Sequence, residues 1–516
     1  MKWLLLLTLI VSLANIRAQV NLTSHHSFYK DQVFANKLSK SLNDGSFFPI
    51  SENSYDMIPA IIDSTKQYYD FTQTLFKKHL FEIKGDDFFL TISPTFNFSG
   101  GIELVDTSDR RLLQNTRGFL VEGDLLNKVS FSTSFYENQT TFPNYEKEYY
   151  LELGELYLSG TEYSTQNAVV PGAGRTKFFK TDGLDYAYAI GNVSYKPIQN
   201  LMISFGNNSH FIGSGHRSIL LSDNSYSAPY FRVDWKVHPK FKVRILRSKL
   251  LNLLRRPLTS SAESYYEAKG YSVNYFTWMP NEMLNISLFE GVIWNRGDSV
   301  SYRSANPLFY NPVPGISSFL GENEVNSMIG LNVGMQLFPK HLLYGQFAVP
   351  NWNFDRTGFQ LGYRGYNFFG LSDFMIQAEY NYLSADLYQS TNPRLNYIHY
   401  NLPLGHIRGD GLQEIVLRAN YEWKRVYADV LLSYMILNDY NPRGLLPTSA
   451  LSNPGTSASF NTTNLQVELG YRFNRKMNFS AFTRIVLRNT SQQNGINGTI
   501  FQFGLKTALL NHYNDF

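Results

Sequence analysis

The stretch GNNSHFIGSGHRSILLSDNSYSAPYFRV, residues 206–233, gathers the residue types that do chemistry: His210, His216, Arg217, Ser218, Ser222, Asp223 and Asn224, with glycines at 206, 213 and 215. Four chemistries can be built from such a set. A phosphate cradle needs a glycine-rich turn leading into a helix, but Gly213-Ser214-Gly215 lacks the third glycine of a dinucleotide loop and the Lys-Ser/Thr of a nucleotide loop. A metal site would draw on His210 and His216, but no H-E-x-x-H spacing supports it. Ser218, His216 and Asp223 have the residue types of a nucleophilic triad, without the G-x-S-x-G elbow that would expose the serine. The fourth is recognition of a sugar. Arg217 offers a planar donor fork. Asp223 and Asn224 cap turns through their side chains. The glycines permit tight backbone turns, and Tyr226 and Tyr230 present flat faces on which a sugar ring can stack.

Other long connections carry similar equipment. NPLFYNPVPG holds Tyr310 and Asn311, VPNWNFD holds Trp352 and Asp355, and NYIHYNLPLGHIRGDG holds Tyr397, His399, Tyr400, Asn401, His406 and Arg408. The candidate polysaccharide-binding set is therefore His210, Gly213, Gly215, His216, Arg217, Ser222, Asp223, Asn224, Tyr226, Tyr310, Asn311, Trp352, His399, Asn401 and His406. The competing reading is a set of loops that stiffen the fold and bind nothing, with aromatic residues acting as interface anchors. No catalytic residue, metal ligand or cofactor is assigned.

Composition narrows the class. The chain has 516 residues, a net charge of +4 and no cysteine. The mild charge argues against a nucleic-acid partner. The missing cysteine removes disulfides, thiol catalysis, Cys-ligated metals and an acylated N-terminal cysteine. Aromatic residues make up 16% of the chain, with 35 Tyr and 39 Phe, an excess that suits strands and membrane-interface belts. The opening MKWLLLLTLIVSLANIRAQV has a basic start, an apolar run and a small residue, Ala18, before Gln19. It reads as a secretory signal over residues 1–18. No later segment offers the roughly 18 apolar residues of a membrane helix.

Residues 19–80 form a separate region. Ile61, Tyr68, Phe71 and Leu75 recur at helical spacing, which predicts a small helical periplasmic part that caps or plugs one end. From about residue 88 the period falls to two. Phe241, Val243 and Ile245 alternate with Lys240, Lys242 and Arg244. Met477, Phe479, Ala481, Ile485 and Leu487 oppose Asn478, Ser480, Arg484 and Arg488. Phe374, Ile376, Ala378, Tyr380 and Tyr382 oppose Gln377, Glu379 and Asn381. Such alternation also fits a soluble sandwich. The connections decide between the two: short turns such as YKPIQN, VHPKF, WMPNEM, FPKHL and FNRKM alternate with long polar loops. The long loops centre near residues 99–115, 138–182, 206–227, 248–269, 296–327, 349–356, 385–412, 438–462 and 489–498. That asymmetry predicts a transmembrane outer-membrane β-barrel over residues 81–516, with about 18 antiparallel strands and both ends on the periplasmic side. A terminal Phe516 also suits such a chain. A barrel this wide leaves a lumen, whose inward faces carry Lys242, Arg244, Arg418, Arg484, Arg488 and Lys506. These are either paired charges that rigidify the wall or an attractor of anionic polymer.

The segment FIGSGHRSILLSDNSYSAPYFRV is similar to the G-x-G-x-x-S-x-x-L-S-x-N stretch of the Wzi-type capsule-assembly outer-membrane proteins, matched by Gly213, Gly215, Ser218, Leu221, Ser222 and Asn224. The capsule-anchoring members carry a Trp-rich version of this stretch, and Phe211 and His216 stand there in this chain. HLFEIKGDDFFLTISPTFNF, VPGAGRTK, LFEGVIW, NPLFYNP and HYNLPLGH resemble the branch labelled gliding motility protein RemB, and the likeness spans about residues 79–412. The resemblance implies a non-enzymatic barrel in the bacterial outer membrane that acts as a lectin for surface polysaccharide, with a role in gliding motility or adhesion. Its expected partners are surface polysaccharide, outer-membrane lipids and motility or secretion components. A porin-like solute channel and a scaffold subunit of a secretion or motility complex are the alternatives.

Overall fold

The computed structural model describes residues 27–40, 46–50, 72, 78–105, 109–126, 128–174, 176–255, 266–296, 310–320 and 324–516. The signal expected over residues 1–18 lies outside them, and so does the helical spacing of Ile61, Tyr68, Phe71 and Leu75.

Eighteen strands close into one antiparallel barrel. In chain order they are β1 (Phe88–Leu104), β2 (Arg110–Leu125), β3 (Val129–Thr141), β4 (Gly183–Ile198), β5 (Leu201–Asn208), β6 (Ala228–His238), β7 (Phe241–Arg255), β8 (Tyr266–Asn281) and β9 (Leu284–Asn295). They continue as β10 (Val325–Phe338), β11 (His341–Pro350), β12 (Gly358–Tyr366), β13 (Phe374–Leu383), β14 (Leu412–Trp423), β15 (Val426–Tyr440), β16 (Ala458–Asn474), β17 (Phe479–Thr490) and β18 (Gly498–Lys506). Each strand pairs with its neighbour in sequence. The seam joins β18 to β1, with registers from Thr499↔Leu104 to Lys506↔Asn97. No helix among the described residues is long and apolar enough to cross a membrane. Crossing is by strands, whose backbone groups pair all the way round, as a hydrocarbon environment requires.

The alternation read from the sequence sorts the two faces. Phe119, Phe135, Phe205, Phe231, Trp278, Leu288, Leu331 and Phe359 are exposed on the outside. Ser130, Ser132, Ser134, Asn192, Ser204, Gln346, Gln360, Gln377 and Glu379 are buried towards the inside. Short turns at residues 199–200, 239–240, 282–283, 339–340 and 424–425 lie at one rim, and the long connections lie at the other. The short-turn rim is the periplasmic one.

The inside is packed with the chain's own segments. Helix α1 (Ser27–Lys40) lies against β11–β13, where Val33, Phe34 and Leu38 cluster with Leu342, Tyr344, Tyr366 and Met375. Its last turn reaches the periplasmic rim, where the N–H of Lys340 donates to the Leu38 carbonyl at 3.1 Å. The connections at 209–227 and 384–411 fold inward and build an apolar core inside the barrel. There Leu220, Leu221, Tyr388, Tyr397 and Leu402 cluster with the wall residues Tyr271, Tyr275 and Phe289. Helix α2 (Asn144–Glu152), from the 142–182 connection, closes over the outer end. Residues 507–516 do not extend the last strand. They turn inward, so Phe516 packs against Tyr145 and Tyr149 of α2 at ring-centroid distances of 5.6 and 5.0 Å. Phe516 therefore lies inside the barrel and not on its last strand.

Strand contact leaves little room at some inward positions. A Cβ on Gly118 of β2 would collide with the Phe135 carbonyl oxygen on β3. Gly118→Val is therefore expected to cost about 1–3 kcal/mol of stability. It should lower the temperature at which the folded barrel loses its fast mobility in a detergent gel.

Candidate functional site

The 209–227 connection is not a surface loop. Phe211 and Ile212 pair as a short strand with Phe48 and Phe47 of the N-terminal segment. The Ser218 hydroxyl donates to the Ile212 carbonyl at 2.6 Å and accepts the N–H groups of Leu220 and Leu221 at 3.3 and 3.2 Å. Gln346 of β11 clamps the same turn, donating to the Ile212 carbonyl at 2.8 Å and accepting the Ile219 N–H at 2.9 Å. Against this wall the two glycines have a steric purpose. Gly213 sits at φ 123°, where only glycine is at ease, and a Cβ there would lie 2.5 Å from the Gln346 amide nitrogen. A Cβ on Gly215 would lie 2.5 Å from a Glu379 oxygen. Ser222 ties the loop to the 384–411 connection, donating from its hydroxyl to the Gly405 carbonyl at 2.5 Å.

Arg217 is the centre of the assembly. Its side chain is fully buried, and its guanidinium meets two carboxylates. Nη2 donates to Glu414 at 2.8 Å and to Asp515 at 2.6 Å, Nε donates to Glu414 at 3.1 Å, and Nη1 donates to Asp515 at 3.1 Å. Glu414 belongs to β14 and Asp515 to the inward tail, so one fork joins plug, wall and tail. His406 lies 2.8 Å from Glu414, and His216 lies 3.4 Å from Asp515. The backbone N–H groups of His216 and Arg217 donate to Glu379 of β13 at 2.8 and 3.1 Å. Burial alone would raise the Asp515 carboxyl, but the Arg217 guanidinium and the neighbouring His216 outweigh it and hold the group below the usual carboxylate range. Asp223 is spent on Lys30 of α1 at 2.9 Å, the Tyr513 hydroxyl at 2.7 Å and Asn511 at 3.3 Å.

The remaining candidates have similar internal roles. His210 packs edge-on to Tyr230 and Phe47 at 4.6 and 5.8 Å. Asn224 is buried. His399 accepts the Leu251 N–H at 3.0 Å, and burial together with the nearby Lys269 lowers its imidazole to about 3, so it stays neutral. Asn401 donates to the Leu153 and Gly154 carbonyls at 3.2 and 3.0 Å and so fixes the end of α2. Tyr226 is half-buried, with its ring 4.5 Å from that of Tyr400. The structure thus brings ten of the candidates (His210, Gly213, Gly215, Arg217, Ser222, Asp223, Asn224, His399, Asn401 and His406) into the plug, with His216 and Tyr226 at its edge. Tyr310, Asn311 and Trp352 lie elsewhere, on the outer side of the wall. Ser218, His216 and Asp223 each face other partners and form no triad. Among the described residues, no cluster of three or more His, Asp or Glu could hold a metal ion.

The luminal cations are also engaged. Arg244 meets Asp234 at 2.9 Å, Arg418 meets Asp31 at 2.8 Å and Asp429 at 3.0 Å, and Arg484 and Lys506 share Glu468 at 2.7 and 2.6 Å. Arg488 donates to the Phe516 carbonyl at 2.9 Å. Beside these pairs, a cavity of about 290 Å³ remains between α1, the tail and one side of the wall.

A second opening lies at the outer rim. It is a cleft of about 460 Å³ lined by Arg110, Arg111, Asn144, Phe179, Lys180 and Asp182. Arg110 bonds the Asn144 side chain and pairs with Asp182 at 2.6 Å. Lys147 of α2 pairs with the same Asp182. Two cations share one carboxylate, while Arg111 and Lys180 are exposed at the edge. The sequence does not single these residues out, because 99–115 and 138–182 are far apart in the chain and Arg110, Arg111, Lys147, Lys180 and Asp182 belong to no motif. Nor does it single out Gln346, Glu379 and Glu414, whose one signal was a polar residue on the inward face of a strand.

No protein-family model and no curated protein matches the sequence. Among solved structures the chain is similar to Wzi of Escherichia coli, described as an outer membrane protein involved in group 1 capsule assembly and as a carbohydrate-binding β-barrel. The TM-score is 0.54 at 13% identity, covering 96% of this chain and 100% of that one. OccAB4 of Acinetobacter baumannii (TM-score 0.42, 10% identity, 82% and 98% covered) and the outer membrane protein opdK of Pseudomonas aeruginosa (0.44, 10%, 81% and 98%) also match. At these identities the likeness establishes the fold, and the chain is an outer-membrane β-barrel of 18 strands.

Two outcomes follow from the plug. Arg217→Ala leaves Glu414 and Asp515 buried without their cation and should cost about 3–5 kcal/mol, read as a lower unfolding temperature in detergent. Asp410, at the end of the 384–411 connection, is pushed up by burial to about 7 while its carboxyl accepts the Tyr388 N–H at 2.9 Å. Its folded value lies above the unfolded one of about 3.9, so its contribution is full below that pH and is lost as the pH rises through about 7. Hydrogen-exchange protection over residues 384–411, relative to the intrinsic rate at each pH, should be lower at pH 8 than at pH 5, and Asp410→Asn should remove that difference.

Proposed function

We propose that this chain is a non-enzymatic outer-membrane barrel that holds an acidic surface polysaccharide at the cell exterior. The observation that carries the reading is a lumen occupied by the chain's own packed segments beneath an outer rim that presents a charged, amide-bearing cleft. A barrel filled in this way is suited to holding a ligand at its mouth. Sugar hydroxyls need paired donors and acceptors, which Asn144 and Asp182 supply, and Phe179 offers a ring face. Among the lining residues the cations Arg110, Arg111 and Lys180 outnumber the carboxylates Asp109 and Asp182, and Lys147 pairs with Asp182 from the side, a balance that favours a carboxylate-bearing sugar. Arg217, Ser222, Asp223, Asn401 and His406 serve this function by fixing the plug that supports the rim. Wzi, the structural neighbour, is described as binding carbohydrate, in keeping with this reading.

A solute channel is the second reading, favoured by the luminal cavity and the Arg364, Arg418, Arg472, Arg484 and Lys506 side chains along it. A part in gliding motility, adhesion or a secretion complex comes from the sequence resemblance alone.

Calorimetric titration of the purified barrel with acidic surface polysaccharide from the host tests the proposal. Saturable binding is expected. Arg110→Ala with Lys180→Ala should weaken it by about 1.5–3 kcal/mol, the range of a lost hydrogen bond to a charged group, or roughly tenfold to a hundredfold. No binding to any host polysaccharide, together with large steady currents in planar bilayers, would replace it with the channel. Normal gliding in a deletion strain would remove the motility role.

A further inference from the structure

The outer wall of β7–β10 departs from the rule that lipid-facing positions are apolar. Cross-strand register puts Arg247 opposite Ser272 and Asn274 opposite Glu290, while Glu290 and Val292 of β9 face Ile329 and Ser327 of β10. Leu246, Val273 and Tyr275, which alternate with these residues, belong to the luminal core. Arg247, Ser272, Asn274, Glu290 and Ser327 therefore point out of the barrel. Lower on the same wall, Trp278, Leu288, Leu331 and Phe347 are exposed, as expected of a membrane face. Ser272, Asn274, Glu290, Val292 and Ser327 are nevertheless fully buried.

Residues 310–319 cover them. This segment belongs to the 296–324 connection, and it lies flat against the outside of the barrel. Arg247 donates to the Tyr310 carbonyl at 3.3 Å, and Asn274 donates to the Asn311 carbonyl at 2.9 Å and to Glu290 at 3.1 Å. The N–H groups of Gly315 and Ser317 face the Glu290 carboxylate. Ser327 donates to the Ser318 hydroxyl at 2.7 Å, and Trp352 from the next long connection donates to the Gly315 carbonyl at 3.5 Å. The segment's other face is apolar: Tyr310 is 56% exposed, Val313 45%, Ile316 39% and Phe319 80%.

We propose that residues 310–319 form a strap embedded in the outer leaflet, with Tyr310, Val313, Ile316 and Phe319 set among lipid acyl chains. A non-sheet segment can lie in hydrocarbon only if protein satisfies its backbone, and this wall carries the polar side chains that do so. Its apolar outer face continues the girdle formed below by Leu288, Leu331 and Phe347. A loop standing in water would need neither the buried Asn274–Glu290 pair and the half-buried Arg247 that anchor it nor that outer face. The rings of Tyr310 and Trp352 then belong to the lipid boundary and not to the sugar site. The inference is independent of the polysaccharide reading.

The absence of native cysteine makes a direct test available. Spin labels are placed on Phe319→Cys and, as a second reporter, Ile316→Cys, in barrels reconstituted into dimyristoyl phosphatidylcholine vesicles. Leu288→Cys serves as the lipid reference and the exposed Thr456→Cys as the aqueous one. Both strap labels are expected to collide with oxygen more than with a water-soluble nickel chelate, as Leu288→Cys does. Nickel accessibility equal to that of Thr456→Cys at either position, in a variant that retains heat-modifiable mobility, would overturn the strap.

Discussion

Closure of the sheet is the constraint from which the rest of this molecule descends. Strands in hydrocarbon must pair every backbone group, so β18 has to meet β1, and 18 strands meeting in a ring enclose more space than their own side chains can fill. The chain answers with α1, two inward connections and a returning tail. Those segments then bring buried polar groups that must find partners. Gln346, Glu379 and Glu414 sit on the inner wall for that purpose, and Arg217 joins two of the inserted segments to the wall through a single guanidinium. The seam thus dictates the lumen, the lumen dictates the plug, and the plug dictates the ion pairs.

The barrel was legible in the sequence because a half-buried strand writes its orientation every second residue. Phe241, Val243 and Ile245 against Lys242 and Arg244 suffice to assign faces, and the contrast between turns such as VHPKF and loops such as 138–182 suffices to orient the ring. The plug was not legible, because direction is not encoded in composition. A loop rich in Gly, Ser, His and Asp reads alike whether it rises into water or descends between walls. Ser218 and Asp223 would suit a triad, but one closes a turn and the other neutralises Lys30. The partners that decide the matter, Gln346, Glu414 and Asp515, lie 128 to 298 residues away in the chain. The tail at 507–516 was invisible for a related reason, since ten residues without period or glycine hinge give no sign of turning inward.

The same local rule explains where the alternation misleads. Asn274 and Glu290 sit on outward positions of strands that otherwise alternate well, and by pattern alone they resemble errors. Their burial under the 310–319 segment shows that the outside of a barrel can acquire an interior of its own. Structural likeness at 13% identity to the Wzi barrel is compatible with all of this. Many sequences satisfy an apolar-out, polar-in pattern, so the ring persists while the residues at its mouth and within it are free to change.

The shared fork at Arg217 also ties the end of the chain to its middle. Asp515 follows the strand that makes the seam, and its carboxylate gives the guanidinium a second counter-ion beside Glu414. The inward tuck works as a latch, holding the stopper to the cylinder from the side of its last strand.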